Sequence, residues 1–250
     1  MSTYNKTLNK YLPKYHKMKK IICSALIIFF STLILSGQTK EIYTHPQFDS
    51  IAKGHTLLAI LPFKVMLRLR RKEAKKLEPE DFEKLEKIEG EAVQTALQSY
   101  FLNQKEKDSF KVSFQDIHVT NAILAQAGWT DDSLRLKTTK QICRKLRVDG
   151  VISGTVMTNK LLSDGGAGAL IALGIGVAAA GALFGETSGW PGLGPTNTGN
   201  CTINIHEAKG GKLLWRYDKE LYRGLGSNTN TIMNAMMRKA SKEFPYENIK

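Results

Sequence analysis

Residues 56–63 read Thr-Leu-Leu-Ala-Ile-Leu-Pro-Phe, a continuous apolar run closed by a proline. Such a run is the signature of a strand buried on both faces, and burial on both faces demands packed layers above and below. Pro62 has no N–H to give to a ladder, so pairing is expected to end there. The segment Val65-Met66-Leu67-Arg68-Leu69-Arg70 alternates only in part and continues as strand or extended loop.

The remaining elements follow from periodicity. A helix is expected from Pro79, with Glu80, Asp81 and Glu83 near its positive end. Phe82, Leu85, Ile88, Val93, Ala96, Leu97 and Tyr100 keep helical spacing to about Asn103. Phe110–Phe114 alternates as a second strand. Thr120 is the expected cap of a short helix, Asn121 to Ala127, ended by Gly128. Asp132 is the expected cap of another, Ser133 to Leu146, with Leu134, Leu136, Ile142, Cys143 and Leu146 inward. Val151–Val156 follows as a strand. Thr202–His206 and Lys212–Tyr217, joined through Lys209-Gly210-Gly211, read as a hairpin. A last helix is expected from Thr229 to Glu243, before Pro245. This order implies an α/β fold: a layered mixed sheet with helices on its faces, an antiparallel hairpin late in the chain, and a Gly/Ala-rich insert at about 161–200. Leu58, Ile60, Val151 and Ile152 are expected on central, neighbouring strands.

The N-terminal part carries an address. Met18-Lys19-Lys20 precedes the apolar run 21–37, and Ser36-Gly37 stands before polar Gln38. That is the layout of a cleaved signal peptide, so residues 1–37 are expected to be leader and 38–250 a single α/β domain. The rival reading is an uncleaved anchor, for which the run is short. Lipidation would need a cysteine after the small residues; position 38 is Gln and Cys23 lies inside the run, so no lipoprotein is expected.

Export changes the charge. The chain has 36 basic and 23 acidic side chains, and removal of Lys6, Lys10, Lys14, Lys17, Lys19 and Lys20 leaves 30 against 23, or +7. This falls short of a nucleic-acid footprint, so no nucleic-acid partner is expected. The cluster Arg68, Arg70, Arg71, Lys72, Lys75 and Lys76 suits anionic lipid or phosphate, or a solvated face balanced by the acids at 78–91. Cys143 and Cys201 remain, either as buried thiols or as a bridge.

No catalytic, cofactor-binding or metal residue emerges. His45, His55, His118 and His206 lack ligand spacing; Asp116 and His118 share a side if they lie on a strand, but two ligands make no zinc site. Asp131-Asp132 is explained as a helix cap, and no Gly-x-Ser-x-Gly elbow is present. Gly174-Ile-Gly176-Val-Ala-Ala179 matches a dinucleotide fingerprint only in letters, within a stretch where Gly and Ala recur throughout.

The unusual segment is 167–184, which carries no charge. Gly168, Ala172, Gly176 and Ala180 recur every fourth residue, and Gly181 with Gly185 adds a Gly-x-x-x-Gly pair. On a helix they form a contact stripe that lets another backbone approach closely. Three partners for it stay open: its own domain, another subunit, or membrane. The Gly/Pro-rich stretch 185–200, with Trp190, reads as loop.

At Leu58-Ala-Ile-Leu-Pro-Phe63, Leu146-Arg-Val-Asp-Gly-Val-Ile-Ser-Gly-Thr-Val156 and Gly211-Lys-Leu-Leu-Trp-Arg-Tyr217 the chain resembles the TolB N-terminal-like superfamily, which includes the curli secretion channel subunit family. The resemblance covers about 56–160 and 201–246. It implies a non-enzymatic domain of the periplasm or cell envelope of a Gram-negative bacterium, assembling with its own kind or with other envelope proteins. The Gly/Ala-rich character of 165–200 argues against a β-barrel channel of the curli type. The expected function is therefore an exported, non-catalytic envelope protein working through protein or membrane contacts, in secretion or envelope assembly. The alternative is an exported enzyme with an unrecognised site.

Overall fold

The computed structural model describes residues 40–68, 75, 77–108, 111–158, 197–223 and 229–248, all within the unit Gln38–Lys250. The strands are β1 (Lys40–Thr44), β2 (Leu57–Ile60), β3 (Lys64–Leu67), β4 (Ser113–Phe114), β5 (Gly150–Thr158), β6 (Asn197–Glu207) and β7 (Leu213–Arg223). The helices are α1 (Phe48–Ala52), α2 (Pro79–Asp108), α3 (Ile117–Gln126), α4 (Asp131–Arg135), α5 (Thr139–Leu146) and α6 (Thr229–Ser241), with a 3-10 turn at Pro245–Asn248. One mixed sheet results, in the order β1-β7-β6-β5-β2-β4 with β3 also on β5. β4, β2 and β5 run parallel, while β5, β6, β7 and β1 alternate as an antiparallel meander.

β2 and β3 are one path along β5, interrupted at Pro62. Ile60 pairs with Ile152 and Lys64 with Thr155, so Leu61, Pro62 and Phe63 lie opposite only Ser153 and Gly154. This extra residue is a bulge, and it swings Phe63 inward. Two glycines accommodate it. A Cβ on Gly90 of α2 would overlap the Phe63 carbonyl, and one on Gly154 would overlap the Phe63 ring and the Thr202 carbonyl. Phe63 N–H donates to the Gly90 carbonyl at 3.4 Å, joining strand to helix.

The first face of the sheet carries the main core. Leu58, Ile60, Ile152, Val156, Cys201, Ile203, Ile205, Trp215 and Tyr217 are buried there against Leu85, Val93, Leu97 and Phe101 of α2 and Met236, Met237 and Ala240 of α6. A bulge at Leu214 turns both Leu214 and Trp215 into this core. The second face carries a smaller cluster, Ala59, Leu61 and Val151 under Leu124, Ile142, Cys143 and Leu146. The expected neighbours Leu58, Ile60, Val151 and Ile152 are thus buried side by side, through Ala59↔Val151 and Ile60↔Ile152.

Several local expectations are corrected. The helix from Pro79 runs on to Asp108, past Asn103. Thr120 does not cap α3: Asp116 does, accepting from His118 and Val119 N–H at 2.7 and 3.3 Å, and Thr120 is a buried residue inside the helix. Asp116 and His118 are therefore a cap and a first-turn residue, not strand neighbours. The single helix Ser133–Leu146 is two, because Thr138 and Gln141 form a capping box that starts α5 afresh, and Asp132 lies within α4 behind Thr130. The break leaves Leu136 84% exposed instead of buried beside Cys143. β6 begins at Asn197, so residues 197–200 are strand and not insert. Cys143 and Cys201 are free thiols in the clusters of opposite faces and do not pair. Gly168, Ala172, Gly176, Ala180, Gly181 and Gly185 lie outside the described residues, as do the run 69–74 and Trp190.

Candidate functional site

The chain leaves β2 over the first face through α2 to reach β4, and returns over the second face through α3–α5 to reach β5. β2 is thus a switch point, and in open α/β sheets such points leave a crevice beyond the strand's carboxyl end. Here that end is Leu61-Pro62-Phe63-Lys64, and these residues line a crevice of 330 Å³ floored by Ser153, Thr155 and Asn204. Pro62 to Val65 also line a larger opening of 950 Å³ toward α2, walled by Glu83 and Glu91 and by Trp129. Between α2 and α3, buried Gln94 donates to the Ile60 carbonyl at 2.6 Å and exchanges two 3.0 Å hydrogen bonds with Asn121. That network is satisfied and structural.

Beyond α3–α5, the second face carries no described helix. Pairing register puts Glu41 and Tyr43, Arg216 and Asp218, Thr202 and Asn204, Ser153 and Thr155, and Lys64 on it. Asp218 is the ordered centre, accepting from Arg216 Nε and Thr202 Oγ1, each at 2.5 Å. Burial raises its proton affinity, but these two donors outweigh it and hold the carboxyl below its ordinary range. The sheet ends at β1, an exposed edge strand in which Ile42 and Tyr43 are 40% and 45% exposed. Among the described residues, then, a polar open face lies beside an edge strand, the kind of edge on which a further strand can pair.

At the opposite end of the strands, His55 Nδ1 lies 2.6 Å from the Tyr246 hydroxyl. Burial lowers the His55 proton affinity against the pull of Asp149 and Glu207, and burial pushes the Tyr246 phenol up. Burial thus favours the neutral imidazole, and Nδ1 and the phenol hydroxyl share one hydrogen bond whose direction follows the tautomer. Asp149 is engaged already: its Oδ2 takes Thr56 N–H, Thr56 hydroxyl and Leu57 N–H at 2.8–3.0 Å. Burial raises the Asp149 proton affinity, and these donors more than reverse it. The cluster ties the β2 start to the β5 start and the C-terminus; none of the crevices above includes it. Both thiols are inert by environment, burial pushing Cys143 up to about 12 and Cys201 further still. Among the described residues no three His, Cys, Asp or Glu side chains are placed to hold a metal, and no helix is long and apolar enough to cross a membrane.

No family model matches the chain, and neither does any curated protein. Solved structures match at low identity and low TM-score. A PelC dodecamer from Paraburkholderia phytofirmans matches at 11% identity over 81% of this chain and 94% of that one, with a TM-score of 0.37. Lipoprotein GNA1162 from Neisseria meningitidis matches at 10% identity over 75% and 96%, with a TM-score of 0.41. The LpoB C-terminal domain from Salmonella enterica matches at 10% identity over 71% and 94%, with a TM-score of 0.31. At these scores no residue role passes from those proteins to this chain.

Sequence reasoning singled out none of the residues on the open face, since Ser, Thr and Asn alternating with Ile read only as a half-exposed strand. The available signal was that alternation, Thr202-Ile-Asn-Ile, which already promised one wet side.

Proposed function

We propose that this protein is an exported, non-catalytic component of the cell envelope that works by associating with copies of itself or with other envelope proteins. The observation that carries this reading is the second sheet face, bare of described helices from β3 to β1 and continuous with an exposed edge strand. The resemblance of the Leu58–Phe63, Leu146–Val156 and Gly211–Tyr217 segments to TolB-like and curli-subunit domains supports an envelope setting. Residues 1–37 are taken as the leader and 38–250 as the working domain. The stripe Gly168, Ala172, Gly176, Ala180, Gly181 and Gly185 offers a further contact surface, for its own domain, another subunit or membrane.

Native mass measurement of the exported chain, with and without detergent, tests the reading. The expected result is an oligomer that Tyr43→Glu together with Asn204→Arg shifts toward monomer at unchanged melting temperature. A monomer at every concentration, with no partner retained by the open face, overturns it. N-terminal sequencing of the exported chain, expected to begin near Gln38, tests the leader.

A further inference from the structure

We propose that the groove between α3 and α5 binds an acidic sugar chain, one carrying carboxylate or sulfate groups along its length. The groove measures 590 Å³ and is lined by Gln126, Trp129, Lys137, Gln141, Arg144, Lys145 and Arg147, with no carboxylate among its lining residues. A space of this size suits several linked rings rather than one small anion.

Its parts come from three separate elements that the fold brings together. Trp129 follows α3, Lys137 sits in the link from α4 to α5, and the other cations ride on α5 and its C-cap. Lys137 Nζ stands 5.6 Å from the centre of the Trp129 ring, so the half-buried indole is held at the wall. Gln141 is oriented by the capping box: its carbonyl oxygen accepts from Thr138 N–H at 2.8 Å, which leaves the amide N–H groups as donors. An aromatic face, oriented amide donors and cations are the set that recognises ring faces, hydroxyls and acid groups of one ligand.

Helix stability does not account for all the cations. Arg144 and Lys145 lie in the last turn of α5, where a positive charge favours the helix dipole. Arg147 is different. It caps the helix in the left-handed conformation at φ 59, the one described non-glycine residue with positive φ, at a position where glycine is the unstrained choice. Its side chain, exposed, is thereby carried to the groove rim. A duplex nucleic acid or an acidic peptide would meet the same charges but would not need Trp129.

The test measures binding of the full chain by calorimetry to an oligomer of galacturonic acid and to a heparin oligosaccharide, with neutral dextran, poly-glutamate and single-stranded DNA alongside. The expected result is binding of at least one acidic sugar that weakens steeply between about 50 and 200 mM salt on screening grounds. Lys145→Gln with Arg147→Gly should weaken it at least tenfold, and Trp129→Ala should abolish it at unchanged circular dichroism. Should Trp129→Ala unfold the chain, Gln141→Ala serves instead and should cost several-fold in sugar affinity while leaving poly-glutamate unaffected. Failure of both sugars to bind overturns the proposal. So does binding of poly-glutamate or DNA as tightly as sugar without dependence on Trp129 or Gln141. Loss of self-association in the Lys145→Gln/Arg147→Gly chain, with no sugar binding to lose, would assign the groove to a second copy and also overturn it.

Discussion

The two faces of the sheet are made by the same strands, yet they have opposite chemistry. On the first, Ile203, Tyr217 and Trp215 are at most 1% exposed and sit beneath two long helices. On the second, their immediate neighbours Thr202, Asn204 and Arg216 are polar, and described helices cover only the end near Val151. Alternation along a strand lets one segment serve both purposes. The apolar burial that stabilises the domain is concentrated on the first face, and most of the second is left with polar side chains that no described helix covers. Edge strand β1 belongs to that surface, tied to the turn after α6 by Lys40 Nζ to Glu243 Oε1 at 2.7 Å.

Substitution should expose this asymmetry most sharply at Trp215. Trp215→Ala removes the largest fully buried side chain among the described residues and should cost about 3–5 kcal/mol in chemical denaturation; a cost below that of a surface change would mean the first face is not the core. Next comes Gly154→Val, which forces a side chain against the Phe63 ring and Thr202 carbonyl and should cost about 1–3 kcal/mol, or prevent folding. Relief is expected at Arg147→Gly, which should raise stability by about 1 kcal/mol in the same assay by removing the left-handed strain.

A graded response to pH sharpens the comparison further. His55 and His206 both have proton affinities lowered by burial from the ordinary 6.5. Protons therefore bind the unfolded chain first, so stability is full above 6.5 and falls as the pH drops toward the folded values. Asp149 and Asp218, held below the ordinary 3.8, add a second loss as the pH falls below that value. His55→Gln should flatten the upper limb of the denaturation midpoint plotted against pH; an unaltered limb would show that His55 contributes nothing to it. The smallest effect belongs to the open face, where Asn204→Ala should change stability by within about 0.5 kcal/mol. A large loss there would mean that the face is covered.

Much of the fold was legible because it is written in neighbouring residues. The apolar run at 57–61, the proline that interrupts it, the acidic start of the helix at Pro79 and the alternation around Tyr217 each report a local environment that burial imposes. One local signal was misread: Thr138-Thr-Lys-Gln141 has the spacing of a capping box and already divided the helix placed over 133–146. Asp116 likewise precedes a helix as a capping residue should. What the residues alone determined, then, was which strands are buried on both sides, which have one wet side, and the layered α/β class that follows.

Tertiary structure decided how distant segments meet. Residues far apart in the chain share its defining contacts: Ile60 lies beside Ile152, Lys40 beside Lys219, and His55 beside Tyr246. Periodicity reports whether a side chain is buried, but it carries no term for which buried partner it meets. That is why Cys143 and Cys201 were two open thiols in sequence and lie under opposite faces in space. It is also why the groove was not legible in the sequence: Lys137, Arg144, Lys145 and Arg147 meet Trp129, from a different element, only in the folded chain.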